Sequence, residues 1–234
     1  QETAACAAGL KEMGVRAGDR VAAFMPNTLE TLVGFLASAS IGAVWSSCPP
    51  EFGIRSVVDR FRQIEPRVLL AVDGYRYRGQ NYNCLSQVSK LQDALPTLNA
   101  TVLVPYANDC PSTGEIKNVV PWRQMLSEES EIDFQPVPFD HPLWILYTSG
   151  TTGLPKAIVQ GHGGILLEHL KTLSLHLDLT DKDKLFWYTS TGWMMWNFIV
   201  SGLLLDTTVI LYDGHPAHPD IKTLWKLAEQ AGIT

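Results

Sequence analysis

The stretch Thr148-Ser-Gly-Thr-Thr-Gly-Leu-Pro-Lys156 gathers residue types that can grip a polyphosphate. Gly150 and Gly153 free the backbone from the steric limits of a Cβ, so successive amide groups can converge on an anion. Thr148, Ser149, Thr151 and Thr152 add four hydroxyl donors within five residues. Lys156 brings a compact positive charge to the far end, and Pro155 stiffens the exit. The spacing is not that of a P-loop, which has four residues between its glycines and then Gly-Lys-Ser/Thr. Here two residues separate Gly150 from Gly153, and Ala157 follows the lysine. No Gly-x-Gly-x-x-Gly follows the first strand-like run, which removes the main support for a dinucleotide site. On residue types alone, the same run would also serve as a polar hairpin turn that binds nothing.

Two further runs carry chemical potential. Gly192-Trp-Met-Met-Trp-Asn197 places two flexible, polarizable thioethers between indoles, which suits the wall of a small acyl pocket and equally suits helix core. Asn197 adds an amide able to hydrogen-bond a carbonyl. Gly74-Tyr-Arg-Tyr-Arg-Gly79 presents two guanidinium groups after a strand-like run, a pattern for phosphate or for a solvated turn. The histidines do not form a catalytic set. His162 reads as part of a helix start, His169 and His176 as half-exposed positions on one helix, and His215-Pro-Ala-His218 lacks the companions of a metal site.

Composition narrows the function classes. Hydrophobic residues are 46% and charged residues 18% of the chain, a balance that supports a buried core rather than disorder. A net charge of −6 with scattered Lys and Arg argues against nucleic-acid binding. Cys6, Cys48, Cys84 and Cys110 make no CxxC pair and read as buried free thiols. No apolar run approaches the roughly 20 residues of a membrane span, and no leader pattern opens the chain, so the cytosol is the expected compartment. The opening at Gln1 inside a helix, and the stop at Thr234 where a strand begins, read as the ends of an internal stretch of a longer protein.

Short apolar runs predict strands at 21–25, 43–47, 67–72, 100–104, 143–147, 157–159, 185–188 and 208–212. Amphipathic stretches predict helices at 2–13, 28–41, 55–65, 83–95, 122–126, 165–177, after Gly192 and at 221–231, with Asn27 or Thr28 as a cap. Five prolines at 111, 121, 136, 138 and 142 make 107–142 a surface connection and a subdomain boundary. Continuous apolar strands separated by helices give an α/β class, with parallel-rich sheets covered on both faces.

The run Tyr147-Thr-Ser-Gly-Thr-Thr-Gly-Leu-Pro-Lys156 resembles the signature of the adenylate-forming superfamily, which holds acyl-CoA synthetases, luciferases and peptide-synthetase adenylation domains. Gly14-Val-Arg-Ala-Gly-Asp-Arg-Val21, Met25-Pro-Asn-Thr28 and Ile41-Gly-Ala-Val-Trp-Ser46 resemble the early segments of its acetyl-CoA synthetase branch. Gly161-His-Gly-Gly-Ile-Leu-Leu-Glu-His169, the Trp-Met-Met-Trp-Asn run and Leu211-Tyr-Asp-Gly214 are similar to the acetoacetate-activating members. The resemblance covers nearly the whole chain and implies part of the large N-terminal AMP-binding domain across 1–234. It implies ATP, Mg2+ and coenzyme A as cosubstrates, with acetate, propionate or another short-to-medium-chain acid as the alternative to acetoacetate. It assigns Thr148, Ser149, Gly150, Thr151, Thr152, Gly153 and Lys156 to the ATP phosphates, with Thr148 and Lys156 catalytic. It gives Trp193, Met194 and Met195 to the acid and Arg76 to the CoA phosphates. Relatives often carry His where this chain has Gln160. The ribose aspartate, the adenine motif, the hinge and the C-terminal lysine fall beyond Thr234, so the stretch alone is expected to be inactive and a non-catalytic binding module remains an alternative.

Overall fold

The computed structural model describes residues 1–114, 116–126, 131–148 and 153–234. Its strands are β1 (Arg20–Phe24), β2 (Val44–Cys48), β3 (Val68–Val72), β4 (Gly74–Tyr77), β5 (Gln80–Asn83), β6 (Ala100–Val104), β7 (Val119–Pro121), β8 (Pro142–Thr148), β9 (Lys156–Gly161), β10 (Lys184–Leu185) and β11 (Thr208–Val209). Its helices are α1 (Glu2–Glu12), α2 (Leu29–Ser40), α3 (Ile54–Phe61), α4 (Leu85–Ala94), α5 (Trp122–Met125), α6 (His162–Lys171), α7 (Met194–Val200) and α8 (Thr223–Ala231). A π-helical turn, Thr172–His176, continues α6, and a 3-10 turn, Ser201–Leu205, continues α7.

A seven-stranded sheet runs in the order β7-β6-β3-β1-β2-β8-β9. All its neighbours are parallel except β8 and β9, which form a hairpin. The apolar runs explain the centre: β2, β3 and β6 are buried at every residue, as strands covered on both faces must be. Alternation along a strand then sorts side chains into two layers. Val21, Ala23, Leu70 and Val102 join one core with α1, α2 and α7, while Ala22, Phe24, Leu69 and Ala71 join another with α3 and α4.

Phe35 of α2 is the hub of the first core. Its ring lies 6.1 Å from Trp45, 5.5 Å from Trp144 and 5.9 Å from Trp196, centroid to centroid. Trp45 and Trp196 themselves stack at 6.5 Å. One side chain thus joins α2, β2, β8 and α7. Gly34 beside it is needed for close approach, because a Cβ there would sit 2.6 Å from Leu70 Cδ2.

Several expectations need correction. The 107–142 connection contains a strand, β7, which pairs with β6 at the sheet edge, where Pro121 costs no interior ladder bond. The Gly74–Gly79 loop is the first half of an antiparallel hairpin, with Tyr75 stacked on Tyr82 at 4.9 Å. Arg78 (φ 51°) and Gly79 (φ 75°) both take positive φ at its tip, the geometry of a tight hairpin turn. The strands expected at 185–188 and 208–212 shrink to the two-residue pair β10 and β11, because Trp187 and Tyr188 are exposed rather than layered. Helix α6 starts earlier than expected, at His162, and α3 ends earlier, at Phe61. Thr28 occupies the N-cap of α2 without a side-chain capping bond. Cys6, Cys48 and Cys84 are buried, whereas Cys110 is exposed. No helix among the described residues is long and apolar enough to cross a membrane.

Phe35→Ala should lower unfolding free energy by about 3–5 kcal/mol, the cost of emptying an aromatic core site. Phe35→Leu should cost clearly less. Urea unfolding followed by circular dichroism measures both, and equal losses would deny the ring its role as hub.

Candidate functional site

Because β1, β2, β3, β6 and β8 run parallel, the chain leaves them all at one edge of the sheet. That edge is where ligands bind open α/β sheets. Asn27 follows β1, Phe52 follows β2, Arg76 follows β3, Tyr106 follows β6, and the Gly/Thr loop follows β8.

The loop joins β8 to β9, which pair as a hairpin. Thr148 and Lys156 are register partners at its mouth, and both are exposed. Gly153 takes φ 118°, a conformation that side-chain-bearing residues rarely adopt. Ser149, Gly150, Thr151 and Thr152 lie outside the described residues. At the base of the hairpin, Gln160 Oε1 accepts a 2.5 Å bond from Trp144 Nε1. The glutamine at this position therefore locks the hairpin to the buried indole.

The Met run starts α7, with Trp193 at its N-cap. A cavity of about 460 Å³ is lined by Glu51, Phe52, Trp187, Tyr188, Thr189, Ser190, Trp193 and Met195. Trp193 and Met195 thus share one cavity, while Met194 is 58% exposed and does not line it. Trp196 and Asn197 are buried behind them. Trp196 Nε1 donates to Asn27 Oδ1 at 2.9 Å, and Asn27 Nδ2 donates to the Tyr212 carbonyl at 3.3 Å. Asn27 is therefore a tie between layers rather than a helix cap. The Asn197 amide finds no hydrogen-bond partner among the described residues. The turn before α7 is pinned to the sheet edge: Thr191 Oγ1 donates to the Met25 carbonyl at 2.8 Å, and Ser47 Oγ to the Thr191 carbonyl at 2.7 Å. Gly192 is required there, since a Cβ would fall 2.7 Å from Pro49 Cδ.

A crevice lined by Arg76, Tyr75, Tyr77, Asp213 and Asn27 adjoins this cavity and shares Glu51, Tyr188, Thr189 and Ser190 with it. Arg78 is committed elsewhere, with Nη2 3.0 Å from His215 Nε2. The crevice wall rests on Asp73, which is fully buried. Its carboxylate accepts bonds from the backbone N–H of Tyr106, Ala107 and Asn108 and from Asn108 Nδ2, at 2.7 to 2.9 Å. Held this way, Tyr106 donates its hydroxyl to Asp213 Oδ2 at 2.8 Å. Desolvation pushes the Asp213 carboxyl up from its ordinary value, while the Tyr106 bond pulls it down.

His169 and the buried cysteines are structural. His169 is buried, not half-exposed, because Nδ1 lies 2.7 Å from Ser201 Oγ between packed helices. Burial pushes the Cys6, Cys48 and Cys84 thiols up to about 12, which leaves them unreactive. No cluster of three His, Cys, Asp or Glu among the described residues could hold a metal ion. The Asp73–Tyr106–Asp213 chain escapes sequence reading because its members are brought together only by strand order.

The family described as AMP-binding enzyme matches residues 1–234, the whole chain. The chain belongs to the AMP-binding enzyme family. Within that family it is 41% identical over 241 residues to the acetoacetyl-CoA synthetase of Gallus gallus, covering 100% of this chain and 36% of that protein. It is 45% identical over 222 residues to the acetoacetyl-coenzyme A synthetase of Rhizobium meliloti (strain 1021), covering 94% of this chain and 34% of that protein. The solved acetoacetyl-CoA synthetase from Streptomyces lividans superposes with a TM-score of 0.94 at 52% identity, over 100% of this chain and 35% of that one. The chain therefore spans about a third of the length of these family members.

The Asp213 shift has a measurable consequence. A carboxyl raised above its ordinary 3.8 binds its proton more tightly folded than unfolded, so it adds stability as pH falls through the raised value and withdraws it as pH rises. Asp213→Asn keeps an acceptor for Tyr106 and removes this gain. Relative to the parent, its urea midpoint should worsen between about pH 7 and about pH 4. A constant difference between the two proteins would deny the shift.

Proposed function

We propose that this chain carries the phosphate loop and acid pocket of an ATP-dependent, AMP-forming acetoacetate–CoA ligase, within the large N-terminal domain of that enzyme. The carrying observation is the adjacency of the two sites. Phe52 lines the Met195 cavity and Tyr147 opens the loop, and both rings face the Arg60 guanidinium, at 5.3 and 5.7 Å. A reaction that joins a carboxylate to a nucleotide phosphate needs the two held side by side. The match over the whole chain to acetoacetyl-CoA synthetases supports acetoacetate as the acid, with acetate and propionate as the acids to compare.

In the first half-reaction the acetoacetate carboxylate attacks the α-phosphorus of MgATP, forming the acyl-phosphate bond as pyrophosphate leaves. Two anions meet, so the barrier is largely electrostatic, and donors fixed in advance lower it. Lys156 and the hydroxyl of Thr148 stand at the mouth of the hairpin to neutralise the terminal phosphates, with Ser149, Gly150, Thr151, Thr152 and Gly153 completing the grip. Magnesium enters with the nucleotide. Trp193 and Met195 confine the acyl chain, and Met194 borders them. In the second half-reaction the CoA thiol attacks the acyl carbonyl, the thioester forms, AMP leaves and the thiol proton passes to solvent. The crevice that runs from Arg76 to the Met195 cavity supports an approach of CoA from that side, with Arg76 on a phosphate.

Lys156→Ala in the full-length protein should lower acetoacetate-dependent ATP–pyrophosphate exchange at least tenfold, about 1.4 kcal/mol of transition-state stabilisation. An unchanged rate, or equal exchange with acetate and propionate, would sink the corresponding part of the proposal. Arg76→Ala should leave that exchange intact and raise KM for CoA in thioester formation about tenfold, the worth of one charge-assisted bond. Unaltered CoA kinetics would remove Arg76 from the site.

A further inference from the structure

Both ends of the Gly/Thr loop are tied to α3 and the turn that follows it. Upstream, the Tyr147 hydroxyl donates to the Arg60 carbonyl at 2.9 Å. Downstream, Gln63 Nε2 donates to the Pro155 carbonyl at 2.9 Å and to the Asp59 carbonyl at 2.7 Å. Arg60 lies in the last turn of α3, which closes at Phe61, and Gln63 in the turn that follows, where its N–H donates to the Arg60 carbonyl at 3.2 Å. The helix is itself fixed, because Val57 and Phe61 are fully buried in the second core. Arg60 is held in place as well: Nη1 bonds the Ser56 carbonyl at 2.8 Å, and the guanidinium faces the rings of Tyr147 and Phe52. Phe52 reaches the acid site directly, since a Cβ on Gly192 would lie 3.1 Å from its ring.

We propose that the end of α3 and the turn that follows it are the positioning platform of the phosphate loop. Gln63 and Tyr147 hold the loop's two ends, and Arg60 ties the loop to the wall of the acid cavity through Phe52. Wrapping a polyphosphate costs a loop conformational freedom, and ends anchored in advance reduce that cost. Gln63 has no contact with the reacting groups and acts only through Pro155. Arg60 has a second effect, because displacing Phe52 disturbs the cavity while displacing Tyr147 disturbs the loop. The proposal rests on reading this loop as the ATP phosphate site.

The test uses pyrophosphate exchange and thioester formation in the full-length protein. Gln63→Ala should raise KM for MgATP about fivefold, the worth of one net hydrogen bond, and leave KM for acetoacetate and CoA within about twofold. Gln63→Lys keeps a long N–H donor and should restore the parental KM for MgATP. Gln63→Glu, an acceptor only, should behave like the alanine variant. Arg60→Gln should raise KM for MgATP and for acetoacetate together. An unchanged KM for MgATP in Gln63→Ala overturns the platform, as does a rise in all three constants that lysine fails to rescue, which marks a purely structural role. Lys156→Ala separates the two levels. If that variant is impaired while Gln63→Ala is not, only the platform falls; if neither is impaired, the ATP reading falls and takes the platform with it.

Discussion

Strands β6, β3, β1 and β2 lie side by side with no face open to water, and covering them twice is the constraint on which the rest of the molecule depends. Each crossover between these four strands delivers a helix to one face or the other, and parallel pairing follows because each helix returns the chain to the same starting edge. The opposite edge then collects the turns. The residues proposed to bind phosphate, acid and CoA share that edge for topological reasons, although they come from segments far apart in the chain.

The same constraint explains what could be read from the residues alone. Runs such as Val68–Val72 are strands because nothing else buries five successive apolar residues so cheaply, and the Gly/Thr loop stands out through glycines, hydroxyls and a lysine packed into nine positions. Less visible were elements whose stability is not their own. The β4–β5 hairpin is polar and half-exposed, and it is held by a stack of Tyr75 on Tyr82 and by a turn with two positive φ values. Its alternating tyrosines were the available signal. Strands β10 and β11 are shorter than their apolar runs because Trp187 and Tyr188, which have the look of core residues, line the Met195 cavity instead.

Partnerships over long sequence distance left no local trace. Asp73 looks like any turn aspartate, yet it is sealed from water and satisfied by four donors from a segment more than 30 residues away. Gln63 and Gln160 look like solvated polar residues, yet each holds one part of the β8–β9 hairpin. Asn27 lies where a helix cap belongs, and its amide spans from Trp196 to Tyr212 instead. In each case the side chain does what its chemistry allows, with a partner that only the sheet order supplies.

The aromatic hub around Phe35 also gives the molecule two optical populations. Trp45, Trp144 and Trp196 are sealed in the core around Phe35, whereas Trp187 and Trp193 are more than half exposed on the wall of the Met195 cavity. The buried indoles emit from an apolar environment and couple to neighbouring rings, so their spectrum follows the integrity of the fold. The cavity indoles emit from water and respond to whatever displaces it. Trp225, 78% exposed and away from that cavity, adds a constant to the red emission, so the change in that emission on ligand addition reports the cavity while the blue emission follows the fold.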